Sequence, residues 1–330
     1  MKALYDQVVG TGGIGTGVLF ELSDSRPLSR NETRLAKLTP TRDYCKQHII
    51  LHYIARVLAP GVAVRAIGLV GEDDQGAALL AEMRSAGIDT ARVGRTAALR
   101  TMYCVCIQYP DKAVCNVTTS ESACSLVTAE YVGRALDGLS MDGKTVAIAA
   151  PEVPVAARLE LLRRARDAGA LTVASCLVDE FAEFGGCGGL RLTDILAVNE
   201  DEAAAYLGEA IPDMEELARA CHRKLRAENP SMRLLMTCGA NGSCACEGER
   251  VAHVPALPGP VVATGGAGDA YIAGCAIGLI LGLPFLPGSG VSAAELGAHL
   301  ARESISSADT IAFHIGRETA LDFVGKGLMD

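Results

Sequence analysis

The chain has 330 residues, 49% hydrophobic and 21% charged, a balance that excludes a disordered or fibrous protein and allows a sizeable core. A formal net charge of −9 argues against a general nucleic-acid binder, which needs a basic surface to neutralise phosphates. Single phosphates stay compatible with it, because backbone N–H groups can hold them without net charge.

In chain order, the apolar pair Val8-Val9 runs into Gly10-Thr11-Gly12-Gly13-Ile14-Gly15-Thr16-Gly17. Residues 23–42 are polar and arginine-rich, contain Pro27 and Pro40, and have no apolar period, so they read as loop. His48 stands beside the apolar helical run Ile49, Ile50, Leu51, Tyr53 and Ile54 and is expected to be a structural histidine with satisfied nitrogens. Residues 62–70 read as a buried strand and 74–86 as a helix closed by Gly87. Residues 101–118 alternate, with Pro110-Asp111-Lys112 as the turn of a hairpin between 103–108 and 113–117. Further on, 145–149, 171–175, 195–198 and 233–237 read as strands, while 155–168 (stopped by Gly169) and 200–207 read as helices. Such alternation predicts an α/β fold with a mostly parallel sheet covered by helices on both faces. The hairpin and the polar stretch do not suit that sheet and are expected to cover something. No repeat, low-complexity tract or linker marks a boundary, so residues 1–330 are expected to form a single domain.

Twelve cysteines invite a disulfide or zinc reading, but there is no C-x-x-C, and most lie among Val, Ile and Ala as small hydrophobes. Cys104/Cys106 and Cys244/Cys246 are C-x-C pairs whose side chains would share one face of a strand. The start lacks signal-peptide architecture, and a reducing cytoplasm is the expected location. The uncharged run 270–287 approaches the length of a membrane span, but Gly274, Gly278, Gly282 and Pro284 interrupt it, so a buried helix is expected instead.

The strongest chemical signal is Thr264-Gly265-Gly266-Ala267-Gly268-Asp269-Ala270 before an apolar helix. Small residues there let N–H groups converge on an anion, aided by the helix dipole, and Asp269 is placed to take a proton from an attacking hydroxyl. A plain turn with Asp269 as a helix cap is the alternative. This segment resembles the C-terminal signature of the ribokinase-like (PfkB) carbohydrate kinases. Three further segments match in order: Gly71-Glu72-Asp73-Asp74-Gln75-Gly76 with Ala86-Gly87-Ile88-Asp89, Asn199-Glu200-Asp201-Glu202, and Thr237-Cys238-Gly239-Ala240-Asn241-Gly242.

The resemblance implies a three-layer α/β/α fold with a small β lid, here drawn from residues of about 17–40 and 98–120, and a homodimer through that lid. It implies an ATP- and Mg2+-dependent phosphotransferase acting on a hydroxyl of a sugar or sugar-like polyol. Asp269 would be the general base, and the N–H groups of Gly266, Ala267 and Gly268 the anion hole. Asn199 and Glu202 would organise the magnesium–phosphate end of ATP through water, while Thr237, Gly239, Gly242 and Thr264 would line the nucleotide site. The family usually writes D-T-T-G-A-G-D; Ala263 and Gly265 depart from it, which puts activation by a monovalent cation in doubt. The family's sugar-gripping Asp, five residues past an N-terminal glycine, falls here on Gly15 or Gly17. Its G-G-x-x-x-N helix start is replaced by Asp43-Tyr44-Cys45-Lys46-Gln47-His48.

Acceptor-binding candidates are therefore Gly12 and Gly13, letting a substrate approach the first strand, Asp43 for vicinal hydroxyls, Lys46 for an anionic group, and Tyr103 in the hairpin. Arg26, Arg30, Arg34 and Arg42 are further cations near Asp43. Two other readings remain. Gly10-x-Gly12-x-x-Gly15 satisfies the dinucleotide fingerprint of a dehydrogenase, though no helix and acid-ended strand follow. A rewritten substrate half also suits a non-catalytic ligand sensor.

Overall fold

The structure is a computed structural model that describes residues 3–111 and 113–327; Lys112 of the expected hairpin turn lies outside the described residues. The strands are β1 (Gln7–Thr11), β2 (Gly15–Glu21), β3 (Lys37–Tyr44), β4 (Ala63–Gly71), β5 (Ile88–Thr96), β6 (Met102–Gln108) and β7 (Val114–Thr118). They continue with β8 (Thr145–Ala149), β9 (Leu171–Ser175), β10 (Ile195–Asn199), β11 (Arg233–Thr237), β12 (Ser243–Glu247) and β13 (Arg250–Val254). The helices are α1 (Lys46–Leu58), α2 (Asp74–Ser85), α3 (Ala129–Leu136), α4 (Val155–Asp167) and α5 (Phe181–Gly186). After them come α6 (Glu200–Leu207), α7 (Met214–Glu228), α8 (Ala267–Ile280), α9 (Ala293–Ser304) and α10 (Arg317–Gly327).

Nine strands form one sheet in the order β13-β12-β11-β10-β9-β8-β1-β4-β5. It is parallel from β11 to β5, and β12 and β13 close one end antiparallel. Successive residues of a strand face opposite sides. Val8 accordingly packs with α1, α2, α8, α9 and α10, whereas Val9 packs with α3 and α4, and both are fully buried. The result is three layers, α/β/α, as the alternation of elements predicted.

The remaining strands make a separate four-stranded sheet, β3-β2-β6-β7, with β2 and β6 parallel and both outer pairs antiparallel. Part of the stretch expected to be loop is therefore a strand. In β3, Thr39 and Thr41 turn inward while Leu38 and Pro40 turn out, so polar residues carry the period-two pattern that apolar ones usually supply. Pro40 is tolerated because β3 lies at the edge of its sheet. Gly15 opens β2, not a helix, which removes the dinucleotide-fingerprint geometry from Gly10–Gly15.

No helix among the described residues is long and apolar enough to cross a membrane; the uncharged run becomes α8 and a turn at Gly282 with φ +82°. α8 packs against α9 at unusually close range. A Cβ on Gly274 would lie 2.7 Å from both the Gly297 Cα and the Leu296 carbonyl oxygen. Gly274→Ala therefore sets two effects against each other. Alanine gains about 1 kcal/mol of helix propensity, but overpacking against backbone costs about 1–3 kcal/mol. A net destabilisation of about 1 kcal/mol, at most about 2, is expected by urea unfolding. An unchanged or raised midpoint would mean that the two helices part freely.

Candidate active site

Ligands of open parallel sheets gather at the carboxyl ends of the strands. Here Glu152 follows the end of β8, and Asn199 and Thr237, cross-strand partners, end β10 and β11. The small sheet and the start of α8 enclose a recess of about 200 Å³ whose polar lining includes Asp43, Lys46, Cys104, Cys106, Glu152 and Asp269.

Gly266 precedes α8 with φ +80°, and a Cβ there would lie 2.3 Å from the Thr310 carbonyl oxygen, so glycine is required on both counts. The first regular helical bond runs from the Ala270 N–H to the Gly266 carbonyl at 2.9 Å. N–H groups in the first turn before it have no i−4 acceptor, although Ala267 makes a long 3.4 Å contact to the Thr264 carbonyl. Asp269 sits in that first turn, 6% exposed, where the helix dipole favours a carboxylate. Lys46, the first residue of α1, places its Nζ 3.4 Å from Asp269 Oδ1. The Asp269 carboxylate holds the Lys46 ammonium above its ordinary range against the opposing effect of burial, with Glu202 and Glu152 adding to it.

Glu152 is a site residue that motif reasoning missed. Its oxygen Oε2 accepts the Lys46 backbone N–H at 3.3 Å, capping α1 in place of Cys45, which makes no side-chain cap. It adopts φ +75°, a strained conformation for a non-glycine residue. Burial pushes its carboxyl up to about 7, with Lys46 pulling the other way and Asp269 reinforcing the rise. The available signal was an acid just past the carboxyl end of a parallel strand, flanked by Pro151 and Pro154. Burial likewise raises the Asp43 carboxyl, helped by the nearby Asp269 charge.

The other candidates divide. Gly12 and Gly13 are buried behind the recess: a Cβ on Gly13 would meet Glu152 Oε2 at 2.5 Å, and one on Gly12 would meet Ala150 Cβ at 2.7 Å. They admit a neighbouring side chain and strand instead of lining open space. Tyr103 alternates with Cys104 and Cys106 along β6 and lies on the face away from the recess, because strand side chains have period two. Arg42 pairs with Glu82 of α2, and Arg26 and Arg34 pair with Asp24 and Glu32, so these arginines are spent on local carboxylates. His48 is fully buried and neither ring nitrogen has a hydrogen-bond partner among the described residues, contrary to the expected satisfied histidine. Burial, with the nearby His52 adding to it, lowers it to about 3.

Asn199 and Glu202 form a reciprocal capping box on α6: Asn199 Oδ1 accepts the Glu202 N–H, and Glu202 Oε2 accepts the Asn199 N–H, both at 2.8 Å. One oxygen of Glu202 thus serves the helix start, and burial raises its carboxyl. Thr237 stands half-buried at the end of β11, and Thr264 is exposed in the loop before α8. Gly239 (φ +51°) and Gly242 (φ +93°) shape the turn after Thr237, and a Cβ on Gly242 would lie 2.2 Å from the Val254 carbonyl oxygen.

A three-layer sheet with this second, smaller sheet over its carboxyl edge has the architecture of the ribokinase-like phosphotransferases. The family model described as pfkB family carbohydrate kinase matches residues 50–315, and the chain belongs to that family. Over 130 residues it is 32% identical to the bifunctional ribokinase/ribose-5-phosphate isomerase A of Fructilactobacillus sanfranciscensis, a match covering 38% of this chain and 22% of the relative. Among solved structures, ribokinase from Giardia lamblia superposes with a TM-score of 0.82 at 19% identity over 99% of both chains. Arabidopsis thaliana ribokinase, complexed with ribose and ATP, superposes with a TM-score of 0.73 at 19% identity over 97% of this chain and 99% of the other.

A carboxyl raised from its ordinary 4.5 to about 7 keeps in the folded protein a proton that the unfolded chain loses between those values. Its contribution to stability is full below pH 4.5 and is lost as pH rises toward 7. Glu152→Gln, neutral throughout, is expected to flatten that decline and to gain stability over the parent at pH 7 and above, as read from melting temperature against pH. Parallel profiles for variant and parent would mean that Glu152 is ionised across the range.

Proposed function

We propose that the chain is an ATP-dependent kinase whose acceptor is a hydroxyl of a sugar or sugar-like polyol, with Asp269 as the general base. The observation that carries this reading is the buried Asp269 carboxylate at the start of α8, facing a recess rich in hydroxyl acceptors under the small sheet. We read residues 1–330 as one kinase domain and the small sheet as its lid. Exposed Leu38 and Val117, on the face of that sheet away from the recess, support it as the contact between two copies, which sedimentation equilibrium tests.

In the proposed reaction, Asp269 takes the proton of the acceptor hydroxyl as its oxygen bonds to the γ-phosphorus of ATP. The bond to the β,γ-bridging oxygen breaks, and ADP leaves with that electron pair. The N–H groups of Gly266, Ala267 and Gly268 face the charge that spreads over the transferring phosphoryl oxygens. Asp43 and Glu152 accept hydrogen bonds from acceptor hydroxyls, and Lys46 offers an ammonium to an anionic group of acceptor or phosphate. Thr237, Gly239, Gly242 and Thr264 line the nucleotide. The hard amide and carboxylate oxygens of Asn199 and Glu202 suit magnesium held through water, and when bound with ATP that ion neutralises phosphate charge.

One observation supports a second reading. Lys46 already pairs with Asp269, and a base so neutralised also suits a ligand sensor without turnover. Asp269→Asn separates the two. A kinase is expected to lose at least about 100-fold in turnover of an accepted sugar while keeping its fold and ATP affinity. Absence of turnover by the parent across sugars, polyols and nucleosides, with binding of one of them, supports the sensor. Unchanged turnover in the variant removes Asp269 as the base.

Glu202→Gln preserves a capping box but removes the charge. It is expected to shift the magnesium dependence of turnover more than the acceptor KM; an unchanged magnesium titration removes Glu202 from the site. Lys46→Ala leaves the desolvated Asp269 without its partner and is expected to raise the acceptor KM about 5- to 150-fold with ATP binding little changed. Equal kinetics in parent and variant would place the acceptor elsewhere.

A further inference from the structure

We propose that Asp43, Cys104 and Cys106 form a binding site for a thiophilic divalent cation, with Zn2+ as its representative, on the inner face of the small sheet. One ligand atom from each of the three lies within 4.8 Å of the others. Cys104 and Cys106 share one face of β6, and their sulfurs are 3.7 Å apart. Two thiolates each about 2.3 Å from a tetrahedral zinc would be separated by about 3.8 Å, so little movement is needed to close on the ion. A disulfide would need about 2.05 Å and a substantial shift.

The sheet register explains why the third ligand is in reach. Gly17 of β2 is the cross-strand partner of both Asp43 on β3 and Cys104 on β6. A Cβ on Gly17 would lie 2.9 Å from Cys104 Cβ, so it would project on the same face as that thiol. The missing side chain leaves open the space between carboxylate and thiol. Thr118 Oγ1 lies 3.3 Å from Cys104 Sγ as a hydrogen-bond donor, the kind of outer partner that steadies a metal-bound thiolate. Two sulfurs and one carboxylate suit Zn2+ and do not suit Mg2+, which takes oxygen donors at octahedral spacing. The site is therefore chemically distinct from the proposed magnesium–ATP end, and it does not rest on the kinase reading. Binding expels the two thiol protons and involves no redox change. Three protein donors leave one tetrahedral position, which water or an acceptor hydroxyl from the recess can fill.

The test uses the full chain, thiol-reduced and stripped of metal, titrated with Co2+ and then Zn2+ in excess Mg2+. One equivalent of Co2+ is expected to give a thiolate-to-cobalt charge-transfer absorption that Zn2+ bleaches. Cys104→Ser and Cys106→Ser are each expected to weaken binding at least about 10-fold. The double variant Cys115→Ser/Cys187→Ser, lacking the two exposed thiols, is expected to keep the full signal. In the unmodified chain, Zn2+ is expected to slow alkylation of Cys104 and Cys106 at least about 10-fold, reversed by a chelator. That measurement decides the question if a serine variant fails to fold. Absence of the charge-transfer band, its loss with the exposed thiols alone, or alkylation of both cysteines at an unchanged rate under Zn2+ overturns the proposal.

Discussion

Lys46 is the one cation among the described residues lining a recess that also holds Asp43, Glu152 and Asp269. The electrostatics of the site follow from that imbalance. Unit charges 4 Å apart interact by about 4 kcal/mol at an effective dielectric constant near 20, so three desolvated carboxylates cannot all ionise around one ammonium without relief. Asp269 takes the ammonium directly. Glu152 responds by holding its proton to near neutral pH, and Asp43 is raised in the same direction. A site of this kind accepts hydrogen bonds from neutral hydroxyls and welcomes added positive charge. It repels an anionic acceptor except where Lys46 or a helix start can meet the anion.

The backbone supplies the rest of the compensation. α1 starts at Lys46 and α8 starts at Ala267, so two helix N-termini point their partial positive charge at the same carboxylates. The two helices share one buried core, and α1 is also tied to the segment between α9 and α10, where its Tyr53 hydroxyl accepts the Ala312 N–H at 2.8 Å. The strained φ of +75° at Glu152 and the φ of +80° at Gly266 are the local costs of bringing both helix starts to one point. Only at Gly266 is that cost relieved by glycine.

The central sheet was legible in the sequence because its strands are short apolar runs bounded by glycines and helix caps. Thr145–Ala149, Leu171–Ser175 and Arg233–Thr237 occupy the residues expected of them. β3 was not legible: its inward residues are Thr39 and Thr41, and its edge position admits Pro40, so neither composition nor punctuation marks it as a strand. Asp269 and its glycines stood out because a helix start with converging N–H groups needs small residues next to one another. Glu152 has no such signature, since its importance comes from where β8 ends and from a conformation that sequence does not display. Tyr103 failed for a simpler reason. An alternating hairpin does not announce which face is inward, and the inward set proved to be Cys104 and Cys106.

The small-sheet side of the recess is nevertheless tied to the glycine-rich loop before α8 by a short stretch of chain. The Arg42 N–H donates to Asp309 Oδ1 at 3.0 Å, and the Tyr44 N–H donates to Thr310 Oγ1 at 3.0 Å. The same Thr310 packs under the loop, where its carbonyl oxygen excludes any side chain at Gly266 and its Cγ2 would lie 2.9 Å from a Cβ at Gly265. Asp43, between Arg42 and Tyr44, is thus held on backbone pinned at both sides to the segment that supports the proposed anion hole. The registration of this strand end against the loop depends on the backbone N–H groups of Arg42 and Tyr44 and on Asp309 and Thr310, not on the side chain at 43. Such an arrangement lets what is bound in the recess change while the geometry at the start of α8 stays the same.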